Sequence, residues 1–424
     1  MRLYWITTFM ALTMQPFVKA ENTVTARLAL SKDDSILQFR LIDTIKLGKN
    51  PRVVQLPSEK KPGQTNANPH PEDANKFARA CSGIKFLDEH SLLATQDTRS
   101  ELARIIFQGD WFKNLKITKI DMVKTINDPA QLKLEDPRKD YKSFRKKHKR
   151  DYEAITALPD GRYLIVGSAS DLGSKGLQSA RNTGLFYQPS SGKTEPINLY
   201  GFYSSLRDNL EVVGKPAKLA RQELNIEGLA VRPNPSGKGF ILAFFHRSNM
   251  AKNGHDSVIE YDLGEWLREI PKLASGAGNL KPRRIVRLNL GQVKHKGKSY
   301  DITLNDASFG YHTGKPAYLL PVSTETDYFD AKGNHEDGLV IFSGIALWSN
   351  IDDSSNGSLV IRQAPGENAP GQLSKFGKIE GLASFNSNGK DHLSKHYFDL
   401  NTPLISVLDV DSEIEPSEMK LIKW

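Results

Sequence analysis

The sequence predicts an all-β protein, a β-propeller of four-stranded blades, and three observations carry that expectation. Helical periodicity is scarce, and short apolar runs recur instead, among them "SGIKFLD", "RIIFQGDW", "YLIVGSAS", "GFILAFFH", "SVIEYDL", "GLVIFSG" and "LISVLDVD". Runs of roughly four to eight such residues, bounded by Gly, Asn, Asp and Pro, read as strands and their turns. A motif also returns: "LNIEGLAV" begins at Leu224 and "KIEGLASF" at Lys378, each with a carboxylate and then glycine at the head of an apolar strand. Aligning the chain on it places Ser82, Glu153, Glu227, Asp306 and Glu380 at near-even intervals, the mark of a repeated unit. Each unit then repeats one order: an apolar strand, a turn such as "LPDG" or "NPSGKG", a second apolar strand ending in polar residues, and two more strands. Four strands per unit is a propeller blade, set radially about a channel.

Five blades are counted, with a sixth if the N-terminal segment and the C-terminus build their own. Segment 25–48 is rich in alternating apolar residues and precedes the first motif, so it is expected to supply the outer strand that completes the final blade. Residues 21–424 thus form a single propeller domain. Hydrophobic residues at 38% and charged ones at 25% suit a folded chain with a substantial core.

Taken in order, residues 1–20 read as a secretory signal peptide. Arg2 precedes an apolar stretch from Leu3 to Met14, and Val18 and Ala20 occupy the positions before a cut at Glu21. That stretch is short of the ~20 residues a spanning helix needs, so the mature protein is expected in the periplasm or outside the cell, with no transmembrane segment. Residues 57–76, polar and carrying four prolines, read as an exposed loop. So do residues 136–150, whose tract "RKDYKSFRKKHKR" ends at Arg150 and carries much of the net charge of +9. The tract has no recognisable nucleic-acid fold around it, and secretion argues against that partner. "GEWLREIPKLA" at 264–274 is the best short helix. Cys81 is the one cysteine, which excludes an intrachain disulfide and a thiolate zinc cluster and leaves it as a small buried apolar residue. A monomer is expected.

In a blade the first strand lines the channel and the second returns antiparallel, so the start of one and the end of the other share a mouth. Glu153, Glu227, Asp306 and Glu380 are expected to converge there, with Ser82 in the fifth place. Such carboxylates repel unless a cation sits among them or some stay protonated. Oxygen ligands without sulfur suit Ca²⁺. Equally, each carboxylate could accept backbone N–H groups of the neighbouring blade and pin the ring. The second strands add Arg99, Ser168, Ser170, His246, Arg247, Asn249, Glu325, Asp399 and Asn401 to the mouth, and Arg150 approaches its rim. Ser168, Ser170, Asn249 and Arg150 are the candidate ligand-binding residues.

The order "DYEAITALPDGRYLIVGSAS", "LNIEGLAVRPNPSGKGFILAFFHRSN", "LNDASFGYHTGKPAYLLPVSTETD" and "KIEGLASF" resembles an uncharacterised family of bacterial β-propellers similar to the esterase-like phytase group, over about residues 80–411. The resemblance implies a propeller with an acidic motif repeated at its channel. Ser82 in place of an acid, and Asp306 in place of Glu, depart from the pattern and imply one metal ligand fewer.

Two functions follow. The first is a metal-dependent hydrolase of phosphoesters or related esters: Ca²⁺ holds the anionic oxygen and activates water, Arg99 and Arg247 stabilise developing charge, and His246 or one carboxylate takes a proton. No Gly-x-Ser-x-Gly or His-Glu-x-x-His signature is present, which disfavours serine and zincin chemistry. His246 alone could equally be a packed strand residue. The second is a non-catalytic module whose mouth holds a small anion, a peptide or a glycan.

Overall fold

The computed structural model describes residues 22–28, 38, 40–46, 53–55, 67–69, 78, 80–96, 101–109, 115–125, 150–170, 179–209, 224–248, 256–326, 328–329, 335–336, 338–353, 357–365, 374, 376–409 and 417–424. The expected signal peptide, loop 57–76 apart from residues 67–69, loop 136–150 apart from Arg150, and the site candidates Arg99 and Asn249 lie outside the described residues.

Among the described residues the chain is all-β with two α-helices inserted. β1 (Asn22–Leu28), β2 (Arg40–Lys46) and a short hairpin of β3 (Val53–Gln55) and β4 (Ala67–Pro69) come first. The first four-stranded sheet is β5 (Cys81–Asp88), β6 (Ser91–Gln96), β7 (Leu102–Gln108) and β8 (Lys116–Val123). The second is β9 (Tyr152–Ala157), β10 (Tyr163–Gly167), β11 (Thr183–Gln188) and β12 (Lys193–Asn198), followed by helix α1 (Tyr200–Asn209). The third is β13 (Ile226–Pro233), β14 (Phe240–His246), β15 (Asp256–Asp262) and β16 (Arg284–Asn289), with helix α2 (Leu263–Ala274) between the last two.

A hairpin of β17 (Gln292–His295) and β18 (Lys298–Asp301) leads into the fourth sheet. There β19 (Thr303–Leu304) and β20 (Ser308–His312) both pair with β21 (Lys315–Glu325). After a small pair, β22 (Tyr328–Phe329) and β23 (His335–Glu336), come β24 (Val340–Ser349) and β25 (Ser358–Gln363). The fifth contains β26 (Lys378–Ala383), β27 (Leu404–Asp409) and β28 (Glu418–Lys423). Its outer strand is β2, antiparallel to β28, so residues 40–46 of the expected segment 25–48 lie at the edge of the last sheet, while residues 25–28 pair elsewhere. β1 lies parallel to β16 through residues 22–25 and parallel to β25 through 26–28, joining the third and fourth sheets.

Burial explains why the inner strands read as unbroken apolar runs. Ile226–Arg232 of β13 and Ile241–His246 of β14 are buried on both faces, whereas the edge strand β12 alternates and exposes Lys193, Glu195 and Pro196. Helix α2 forms as expected: Asp262 caps it by accepting from Glu265 N at 2.9 Å, and Leu263, Trp266, Ile270 and Leu273 supply its buried stripe. Phe202 of α1 packs on Phe244 and Trp266 with ring centroids 5.0 and 5.9 Å apart. No described helix is long and apolar enough to cross a membrane.

One placement differs from expectation. Asp399 and Asn401 do not end a second strand. They form a turn ahead of β27, with Asp399 Oδ1 accepting from Asn401 N at 2.9 Å, because the second strand of that sheet starts only at Leu404.

Candidate functional site

The acid-then-small pair has a steric cause. The first strands of the sheets pack on one another: β5 on β9 and β26, β9 on β13, and β13 on β20. A Cβ on Gly228 would stand 2.8 Å from Ala307 N, and one on Gly381 would stand 2.5 Å from Ser82 O. These strands meet backbone to backbone, so the position after the acid must be small, and the acids are carried to one level.

At that level Glu227, Glu325 and Glu380 share two cations. Arg247 lies 3.4 Å from Glu227 Oε1 and 2.9 Å from Glu325 Oε2. Lys378 lies 3.4 Å from the same Glu325 oxygen and 2.7 Å from Glu380 Oε1. The chain thereby links the third, fourth and fifth sheets by charge. Glu227 also accepts from Asn225 Nδ2. Burial pushes the Glu227 carboxyl up, Arg247 and then Lys378 pull it down, and Asp151 pushes it up again.

Asp306, fully buried, accepts from Leu382 N on the next sheet at 2.9 Å and has Lys85 Nζ 3.8 Å away. Burial pushes its carboxyl up to about 6. Asp306 is thus a pin between sheets, one of the two roles open for the acids. Glu153 is half-buried, its backbone oxygen 2.8 Å from where a Cβ on Gly83 would be. Ser82 is buried beneath Gly381. Among the described residues no group of three or more His, Cys, Asp or Glu is gathered to hold a metal ion.

Ser168 and Ser170 meet at Asp151, which the sequence reading did not single out. Asp151 Oδ2 accepts from the Ser168 hydroxyl and, at 3.1 Å, from Ser170, and Arg181 Nη1 lies 3.0 Å from it. Asp151 and Ala169 have φ of 56° and 61°, a backbone region costly for residues with a Cβ and held here by these bonds. Arg150 donates to Thr183 Oγ1 at 3.2 Å. His246 is buried at the end of β14, where its backbone pairs with Ile226 and Ser257.

A second missed acid is Asp256, which accepts from Ser248 N and from Leu304 N of the fourth sheet, each at 2.7 Å. Burial pushes it up to about 7. The native state then holds this proton more tightly than the unfolded chain, so the stabilisation is complete below the ordinary carboxylate range and is lost as pH rises from about 4 to about 7. The stability of wild type relative to Asp256→Asn is expected to fall across that window and to level off above it. Urea midpoints from acid to neutral pH check this, and a pH-independent difference would reject it.

Comparison with known proteins adds the following. No curated protein matches the chain. An endo-arabinase from Bacteroides thetaiotaomicron is similar in structure at 10% identity and a TM-score of 0.39, over 83% of this chain and 96% of that one. The Cps50 (Swd1) β-propeller domain of Myceliophteria thermophila is similar at 10% identity and a TM-score of 0.28, over 82% and 71%. A mannose phosphorylase from Leishmania mexicana is similar at 9% identity and a TM-score of 0.35, over 82% and 83%. None of these likenesses carries an argument about the chemistry of the chain. The model of DUF6910, a family of unknown function, matches residues 145–396, and the chain belongs to that family.

Proposed function

We propose that the protein is a five-bladed β-propeller, closed by β2 on β28, whose channel mouth binds a small anionic ligand between Arg247 and Lys378. The observation that carries this reading is that these two cations, from different sheets, converge on a single oxygen of Glu325. A carboxylate oxygen already fits between them, and both side chains keep 14% of their surface exposed. A phosphate or carboxylate of a ligand would take the place of Glu325 or share the pair with it. Ser168 adjoins this place through its carbonyl, which accepts from Ile226 N at 2.7 Å, while its hydroxyl, Ser170 and Arg181 are held by Asp151.

Calcium has a competitor here. Glu227 and Glu380 each face a protein cation, so Ca²⁺ would have to displace Arg247 and Lys378 to collect these oxygens. The hydrolase reading rests on a different observation, the Glu227 carboxyl pushed up by burial beside Arg247, which suits a proton donor next to an anion-holding group.

Thermal melting with inorganic phosphate and with citrate tests the binding reading. One of the anions is expected to raise the melting temperature, and Arg247→Ala is expected to weaken binding roughly tenfold or more. No shift with either anion would sink the proposal. A shift with Ca²⁺ that EDTA reverses, without an anion effect, would put the metal in its place, and turnover of phosphate or carboxylate esters would favour the hydrolase.

A further inference from the structure

In the fifth sheet the first and second strands, β26 and β27, are joined by residues 384–403, whereas 158–162 and 234–239 suffice in the second and third. The long connection crosses the channel at the end away from the acids. Phe398 N donates to Phe309 O at 3.0 Å, and His396 meets the Tyr163 hydroxyl. Beneath it lies a cavity of about 20 Å³, room for one water molecule. Lys85, Thr156, Ala230 and Ser308 of the first four sheets and His396 and Tyr397 of the connection share its wall. The connection therefore plugs the channel against every other sheet.

The plug is built as a unit of its own. Among the described residues the backbone hydrogen bonds of 386–397 run within the segment: Asn386 N to Lys395 O at 2.7 Å, Gly389 N to Asn386 O at 3.0 Å and His396 N to Leu393 O at 3.0 Å. Its ends meet, as in a compact surface loop. Side chains attach it to the sheets, Leu393 and His396 being buried. Such a piece can leave without breaking a strand ladder.

The attachment depends on the charge of His396. Tyr163 gives its single hydroxyl proton to Phe86 O at 2.5 Å, so the 3.2 Å contact of Tyr163 Oη with His396 Nε2 has the imidazole as donor. In the neutral ring Nδ1 is then a bare lone pair, buried and without a hydrogen-bond partner in the protein. One water fits both sides: it accepts from the Lys85 ammonium, which also donates to Ser308 Oγ and Leu382 O, and donates to Nδ1. A proton on Nδ1 reverses that bond and sets two cations across one water molecule. Lys85 of β5 and Tyr163 of β10 face the ring from the sheets, His392 and Lys395 from the segment itself. Asp306 stands 3.8 Å from Lys85, and Asp160 and Asp391 act on His392, whose ring lies 4.9 Å from that of His396.

We propose that residues 386–397 form an acid-released plug, which closes this end of the channel while His396 is neutral and leaves it once His396 takes a proton, the sheets staying folded. Burial first, then His392, Lys85 and Lys395, hold the closed imidazole well below its ordinary range. Released to water it returns to about 6.5. The open form binds the proton more tightly, so closure is complete above about pH 6.5 and weakens as pH falls below it, by up to about tenfold per unit. The plug stands apart from Arg247 and Lys378 and does not rest on the anion reading.

Hydrogen exchange of the full chain, read by mass spectrometry at about pH 7.5 and about pH 5.0 and corrected for intrinsic rates, tests the device. Protection of 386–397 is expected to fall about ten- to thirtyfold, with β5, β9 and β13 unchanged. In His396→Gln the amide keeps a donor for Tyr163 and an acceptor for the water, and the plug is expected to stay shut at both values. Imidazole NMR of the wild-type chain needs no variant: His396 is expected to take its proton over the range in which protection is lost. Equal protection at both values in wild type would overturn the proposal. So would a fall of the same size in His396→Gln, loss of protection by all the sheets together, or a fall completed while the His396 ring is still neutral.

Discussion

Glu260→Ala is expected to cost roughly 3–5 kcal/mol of folding stability, the range found when one partner of a buried ion pair is removed. Glu260 is 1% exposed and accepts five hydrogen bonds: from Arg232 Nη2 at 3.0 Å to Oε1 and 3.2 Å to Oε2, Arg232 Nε at 3.2 Å, Arg284 Nη2 at 2.9 Å, and Tyr318 Oη at 3.3 Å. Tyr318 belongs to the fourth sheet and the others to the third, so the carboxylate ties two sheets together. Without it Arg232, 2% exposed, keeps among the described residues only Asp352 at 2.9 Å against its charge. Urea denaturation of Glu260→Ala, with Glu260→Gln as the isosteric control, checks this. A loss in Glu260→Ala below about 1 kcal/mol would show that the guanidinium finds water or another partner at little cost.

Gly381→Ala is the second large effect. The added methyl would meet Ser82 O at 2.5 Å, Val407 Cγ1 at 2.9 Å and Ile84 N at 3.1 Å. Backbone of a neighbouring strand cannot turn aside as a side chain tip can, so β26 and β5 must separate. Overpacking in a core costs about 1–3 kcal/mol, and contact with backbone lies at or above the top of that range. A urea midpoint within error of wild type would mean that the two strands slide past each other cheaply.

These two residues show what was legible in the sequence. Gly381 could be read, because its motif recurs at Gly228 and the cause, close approach of inner strands, acts in the same way at both. Helix α2 could be read for a similar reason: cap and stripe are local in sequence. Helix α1 could not, since "YGFYSSLRDN" has the aromatic content of a strand and is made helical by packing Phe202 on α2. In the mouth, the acids were visible as a repeat, but the cations that neutralise them were not. Lys378 sits two residues before Glu380, and nothing local says that it reaches across to Glu325 on another sheet. Asp151 could have been found, as a charge two places before Glu153 at the head of the same strand. Lys85 carried a signal too. It is a cation inside the apolar run "SGIKFLD", on the face of β5 that also carries Gly83, and a strand buried on both sides places such a residue where only a polar partner can receive it.

The pairing of β2 with β28 has a consequence for how the chain is made. The strand at the edge of the fifth sheet is made before all four other sheets and meets its neighbour only after Lys423 has followed. β1 likewise waits for β16 and β25. Early sheets can assemble while translation continues, but β2 stays unpaired until β28 arrives. Completion is then a late step with a large loop to close, which slows folding and exposes unpaired edges to chaperones meanwhile.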